Sequence, residues 1–301
     1  MKGWNYLEEE TSKKMTDMQV RAFMAFARSI RPGWRAKVLA LPLIALVKLL
    51  GIRKDVARRN IMLCFPEKSR AEREKILAES YENMIWTGVE LLAWQHDPTL
   101  IDRMAVSVEG TEHVENAFAR GKGVVIFSAH LGNWELSPAW FSRRWPFCGV
   151  VRNSDSPFQR ELIATLRAAS GLKTIDKKAP MMRVISMLRK NGCFGALADQ
   201  HGDDDFKAPF FGHETGTATG PAAFSVLTGA PMIPFALRRL EPFKFAIKMG
   251  PPLPPAPKEL SRDDAIKYQT VEMNKVYEKM IRANPGQWLW QHRRFREIIT
   301  E

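Results

Sequence analysis

The chain of 301 residues is 45% hydrophobic, enough for a sizeable core in one large domain or two small ones. Its formal net charge of +12 attracts polyanions: nucleic acid, anionic lipid headgroups, phosphorylated substrates or an acidic carrier protein. Zinc-finger spacing, a basic zipper and an RNA-recognition signature are missing, so no nucleic acid is expected as a partner, and three scattered cysteines (Cys64, Cys148, Cys193) without C-x-x-C argue against a disulfide framework and a structural zinc site.

In chain order, "MKGWNYLEEETSKK" is acidic and polar where a signal peptide is basic and then apolar. Residues 16–60 read as helical, with breaks at Pro32–Gly33 and Gly51. Within them "VLALPLIALVKLLGI" (38–52) is the strongest apolar stretch. It is shorter than the roughly 20 residues a spanning helix needs, is interrupted by Lys48 and contains Pro42. Arg31, Arg35, Lys37, Lys48, Arg53, Lys54, Arg58 and Arg59 surround it. An apolar face with a cationic margin suits a helix lying on an anionic bilayer; a core helix with a solvated rim is the other reading. The next helix starts at Ser69, which with Glu72 forms a capping box, and Ile76, Leu77, Tyr81, Met84 and Ile85 recur at helical spacing.

After Pro98 short apolar strands alternate with helices of 10–15 residues: "AVSVEG", then a helix ended by Gly121, then "GVVIFSAH". A helix follows to about Trp140, then "FCGVVR", the helix "PFQRELIATLRAASG", "LKTID", the helix "APMMRVISMLRKNG" and "CFGALAD". That alternation predicts an α/β fold with a central sheet flanked by helices. Residues 1–100 are expected to form a helical extension of the same fold that faces a membrane, and 101–301 the catalytic region. Ligands of such sheets sit beyond the carboxyl ends of the strands, where His130, Arg152 and Asp199 each fall.

His130 and Glu135 are too far apart in helical phase to share a face. They meet only if His130 lies in the strand-to-helix turn and Glu135 in the first helical turn, reaching back to one ring nitrogen. The other nitrogen is then free to take a proton from a hydroxyl. The alternative is a locally bonded histidine, with Glu135 merely favourable at a helix N-terminus. Ser128 lacks the strained G-x-S-x-G elbow of a serine hydrolase. No histidine pair has ligand spacing, and "ADQHGDDDF" (Asp199, His201, Asp203, Asp204, Asp205) lacks EF-hand order, so no metal is expected. Arg152 suits a phosphate or carboxylate clamp, and the Thr/Gly-rich "TGTATGPAAF" (215–224) precedes a helix whose free N–H groups suit an anion.

"SAHLGNWEL" resembles the H-x-x-x-x-D/E signature of the glycerolipid acyltransferase superfamily. More closely, it is similar to the lauroyl/myristoyl acyltransferases of lipid A biosynthesis in Gram-negative bacteria. "ARRNIMLCFPEKSRAER", "VVR" with "ELIATLRAASG", "GALADQ", "APFFGHETGTATGPAAFSVLTGAPMIP" and "PGQWLWQHRRF" resemble further family blocks in family order. The resemblance implies transfer of a fatty acyl chain from a thioester, of acyl carrier protein or coenzyme A, to a hydroxyl of a lipid A precursor or related glycolipid. It implies no cofactor, metal or covalent enzyme intermediate. It makes His130 and Glu135 the catalytic pair, and assigns Arg152, Asn133, Asp199, Gln200, Thr217, Thr219 and Gly220 to substrate binding or support of the site. It also places the protein on the cytoplasmic face of the inner membrane. A thioesterase or lipid hydrolase using the same site is the alternative. "RNSDSP" departs from the family's R-P-x-x-N-P at Asn153 and Ser156, which leaves the acceptor open among glycolipids.

Overall fold

The structure, a computed structural model, describes residues 18–22, 25, 27, 29–95, 97–151, 173–176, 181–202 and 206–298. Three helices lead: α1 (Trp34–Leu50), α2 (Lys54–Cys64) and α3 (Arg70–Trp94). Short α4 (Leu100–Met104) precedes β1 (Ala105–Glu109), α5 (Thr111–Ala119) and β2 (Val124–Ser128). A 3-10 turn (Trp134–Leu136) runs into α6 (Ser137–Ser142), followed by β3 (Phe147–Val151), β4 (Lys173–Asp176), α7 (Met182–Arg189) and β5 (Cys193–Leu197). The hairpin β6 (Lys207–Phe210) and β7 (His213–Gly216) leads to α8 (Gly220–Thr228), β8 (Met232–Glu241), β9 (Lys244–Met249) and α9 (Arg262–Ala283). A 3-10 turn (Pro285–Gln287) opens the C-terminal segment. The expected strands are present. The helix expected over "PFQRELIATLRAASG", and Arg152 with it, lie outside the described residues.

Seven strands form one mixed sheet in the order β1-β9-β8-β2-β5-β3-β4. Five of them, β8 through β4, are mutually parallel, and β9 turns antiparallel to β8. β2 is buried along its whole length. Side chains of a strand alternate between faces, so Val124 and Ile126 join one core cluster while Val125 and Phe127 join the other. This explains the continuous apolar run: a strand covered on both faces cannot alternate with polar residues. The leading helices belong to the same cores. Trp86, Val89 and Ala93 of α3 pack into the first cluster and Ile76, Leu77 and Tyr81 into the second.

The start of α3 is the capping box read from sequence. Ser69 Oγ accepts from the Glu72 amide at 3.3 Å, and the Ser69 amide donates to Glu72 Oε2 at 2.8 Å. α1 is unusual. It is apolar nearly all round, yet only Ala36, Ala40 and Ile44 are buried, a narrow stripe at a spacing of four. Trp34, Val38, Leu41, Leu49 and Leu50 are all more than 60% exposed. No helix among the described residues is long and apolar enough to cross a membrane. All three cysteines are buried, and none is in a disulfide.

The loop after β2 depends on Gly132, whose φ of 63° lies in the left-handed region. An added Cβ would collide with the carbonyl oxygen of Leu237 on β8. Gly132→Ala is therefore expected to cost about 2 kcal/mol or more, read as a lower urea midpoint; an unchanged midpoint would contradict this packing.

Candidate active site

β2 and β5 are parallel and in register, with Ser128 opposite Leu197. Two residues further along each strand stand His130 and Asp199. The pairing alone brings them together across 69 positions of sequence. His130 Nδ1 lies 2.8 Å from Asp199 Oδ1. The backbone amide of His130 donates to Oδ2 at 2.9 Å, and the indole Nε1 of Trp288 donates to the same oxygen at 2.6 Å. An ionised carboxylate only accepts, so Nδ1 carries the proton and Nε2 keeps its lone pair. The His130 side chain is 18% exposed and Asp199 fully buried, so the ring is the solvent-facing member.

The electrostatics agree. Burial pulls the His130 imidazole downward, but the charge and hydrogen bond of Asp199, with a smaller contribution from Glu135, outweigh it and hold the pKa above its ordinary value. Burial likewise pushes the Asp199 carboxyl upward. The His130 charge and the hydrogen bonds from His130 and Trp288 outweigh that and hold it below the usual carboxylate range. Each partner stabilises the charged form of the other.

The expected reach of Glu135 to the ring is corrected. Glu135 is exposed on the 3-10 turn, and its Oε1 accepts from Trp134 Nε1 at 3.1 Å. The Trp134 ring, 5.7 Å from the His130 ring centroid, has its N–H on that carboxylate. The orienting position on Nδ1 belongs to Asp199, because strand register delivers it there, while Glu135 acts on the ring through its charge.

Asn133 is corrected too. It is fully buried; its Oδ1 accepts from the Leu136 amide, capping the 3-10 turn, and its Nδ2 donates to Glu90 Oε2 at 2.7 Å. It faces the protein interior, not a ligand. Thr217 is also fully buried. Its hydroxyl donates to the Thr215 carbonyl at 2.9 Å and accepts from Arg294 Nη2 at 2.9 Å, which leaves it a structural link. Gln200 is half-buried directly after Asp199, and half-buried Thr219 and Gly220 open α8.

The C-terminal segment supplies what residue-by-residue reading missed. The amide of Gly132 donates to the Gln287 carbonyl and that of Leu289 to the His130 carbonyl, both at 3.0 Å, with Leu131 and Trp288 bridged antiparallel between them. His292 lies within electrostatic reach of Asp199 and His130; burial is the main cause that lowers its pKa, to about 4, so it is neutral at physiological pH. The one available signal is the block "PGQWLWQHRRF", which resembles a family block but carries no local pattern that gives Trp288 or His292 a role.

A solvent-facing imidazole, steered by a buried carboxylate, thus stands at the carboxyl edge of a mostly parallel sheet, the place where α/β folds bind their ligands. The family model described as bacterial lipid A biosynthesis acyltransferase matches residues 20–297, and the chain belongs to that family; it is an acyltransferase. It is 31% identical over 261 residues to the lipid A biosynthesis lauroyltransferase of Escherichia coli (strain K12), covering 83% of this chain and 81% of that one. It is 28% identical to the lipid A biosynthesis palmitoleoyltransferase of the same organism, covering 88% and 83%. The crystal structure of the 1-acyl-sn-glycerophosphate acyltransferase of Thermotoga maritima is a weaker likeness, at a TM-score of 0.39 and 17% identity over 83% of this chain and 97% of that one.

Proposed function

We propose that this acyltransferase moves a fatty acyl group from an acyl thioester to a hydroxyl of a lipid A precursor or related glycolipid, with His130 as the base. The carrying observation is the 2.8 Å contact of His130 Nδ1 with buried Asp199, which leaves Nε2 as proton acceptor. Nε2 takes the hydroxyl proton as the oxygen bonds to the thioester carbonyl carbon. The tetrahedral adduct collapses, the C–S bond breaks, and the imidazolium returns the proton to the departing sulfur. Carbon, sulfur and proton balance without a covalent enzyme intermediate. Asp199 and Glu135 stabilise the transient imidazolium. Arg152, Gln200, Thr219 and Gly220 remain the substrate-facing candidates.

The net charge of +12 suits an acidic carrier protein or a phosphorylated acceptor. The test supplies dodecanoyl-acyl carrier protein with and without a lipid A precursor. Acylated glycolipid formed only with acceptor is the expected product. Free fatty acid at the same rate regardless of acceptor would identify a hydrolase instead and reject the proposal.

The exposed apolar side of α1, flanked by Arg35, Lys37 and Lys48, supports peripheral attachment to an anionic membrane such as the cytoplasmic face of the inner membrane. Leu41→Glu/Leu49→Glu is expected to reduce sedimentation with vesicles of phosphatidylglycerol and phosphatidylethanolamine by about tenfold or more, with an unchanged melting temperature because both residues face out. Equal sedimentation of both proteins would remove α1 from the membrane contact.

A further inference from the structure

The two oxygens of Asp199 have different surroundings. Oδ1 faces the His130 ring, whereas Oδ2 takes two N–H groups, from the His130 backbone and the Trp288 indole. Asp199 is fully buried and Trp288 is 1% exposed, so bulk water does not compete for these bonds. Two other buried tryptophans satisfy the indole N–H on a nearby carbonyl, Trp290 on Pro285 at 2.8 Å and Trp94 on Pro98 at 3.2 Å, and Trp134 satisfies its own on the adjacent, exposed Glu135. Trp288 directs its N–H at an ionised carboxylate 89 positions away. Its backbone is held by the same short ladder that fixes His130, and its ring stands edge-on to Trp290 at 4.5 Å. Donor, carboxylate and imidazole thus share one rigid frame.

We propose that Trp288 is a positioning residue for acyl transfer: its indole N–H fixes the rotation of the Asp199 carboxylate and draws charge onto Oδ2, keeping Oδ1 on the His130 ring and Nε2 as the acceptor. The proposal rests on His130 being the base. A carboxylate that loses a donor becomes more basic. It then grips the imidazolium more tightly, so the base is protonated to higher pH, and it is also free to turn away from the ring.

In Trp288→Phe the acid limb of kcat/KM for dodecanoyl transfer is expected to move up by about one pH unit. The kcat is expected to fall by about tenfold or more. Trp288→Phe/Asp199→Asn is expected to be no slower than Asp199→Asn alone, because the two residues act as one unit. An unmoved acid limb, or losses that multiply in the double variant, would overturn the proposal. If Trp288→Phe does not fold, the intact protein with ¹⁵N-labelled tryptophan decides. The Trp288 indole resonance should titrate with the same midpoint as the His130 ring, and an indole that ignores that titration overturns the proposal. A His130→Ala variant separates the two layers: full activity there removes the base and this proposal together, whereas an inactive His130→Ala beside an unmoved Trp288→Phe acid limb overturns the tryptophan alone.

Discussion

His130→Ala is expected to abolish acyl transfer, and Asp199→Asn to lower it by about 10²–10⁴-fold. The second loss follows from the tautomer. A carboxamide can offer its NH₂ to Nδ1, which moves the ring proton to Nε2 and blocks the acceptor. The pH profile carries the sharper test. Only the neutral ring accepts a proton, so kcat/KM rises with pH through the His130 pKa, which lies above the ordinary 6.5 because Asp199 outweighs burial. In Asp199→Asn burial remains while the opposing charge is gone, so the midpoint should fall below that of the wild type. Glu135→Gln should shift it the same way by less, since Glu135 acts through its charge and not through contact with the ring. A profile in which Glu135→Gln moves the midpoint and Asp199→Asn does not would reverse the two assignments.

Glu90→Ala is expected to cost the fold about 3–5 kcal/mol, visible as a melting temperature lower by about 10 °C. Glu90 is fully buried and holds Arg239 through Oε2–Nη2 at 2.7 Å and Oε1–Nε at 2.9 Å. It also accepts from Asn133 Nδ2 and from the Phe243 amide, while Arg239 reaches Asn83 and Thr87. Removing the carboxylate strands a buried guanidinium and two further donors. Replacing both partners, as in Glu90→Leu/Arg239→Met, should cost less, since no uncompensated charge remains. Activity should fall further in Glu90→Ala than the unfolded fraction explains, because Asn133 loses its anchor and with it the 130–136 loop. A melting temperature within about 1 °C of wild type would show that the pair is hydrated or dispensable.

Local signals proved reliable where a short segment decides the outcome. The run from Val124 to Ser128 had to be a strand covered on both faces, and Ser69 with Glu72 had to start a helix, because each depends on neighbours within a few residues. The polar break after Ser128 placed His130 just beyond the end of that strand for the same reason. The segment from Lys207 to Met249 was less readable. β8 owes its place to pairing with distant β2, and β9 to pairing with distant β1 as well as with its neighbour β8, while the hairpin β6–β7 is a two-stranded sheet of its own.

Which carboxylate steers the imidazole could not be read along the chain. Glu135 is five residues from His130 and was the natural candidate; Asp199 is 69 away and gains its place from the register of β2 against β5. Asn133 looked like a ligand contact until its partner Glu90, 43 positions upstream, turned it inward. Trp288 is further still from Asp199, brought in by a ladder between two loops. Periodicity therefore sufficed for the class of fold, and motif blocks that resemble a known family sufficed for the family and pointed to the histidine, since each is written in contiguous residues. The hydrogen-bond partners that give that histidine its tautomer come from strand pairing, which joins residues that no local pattern connects.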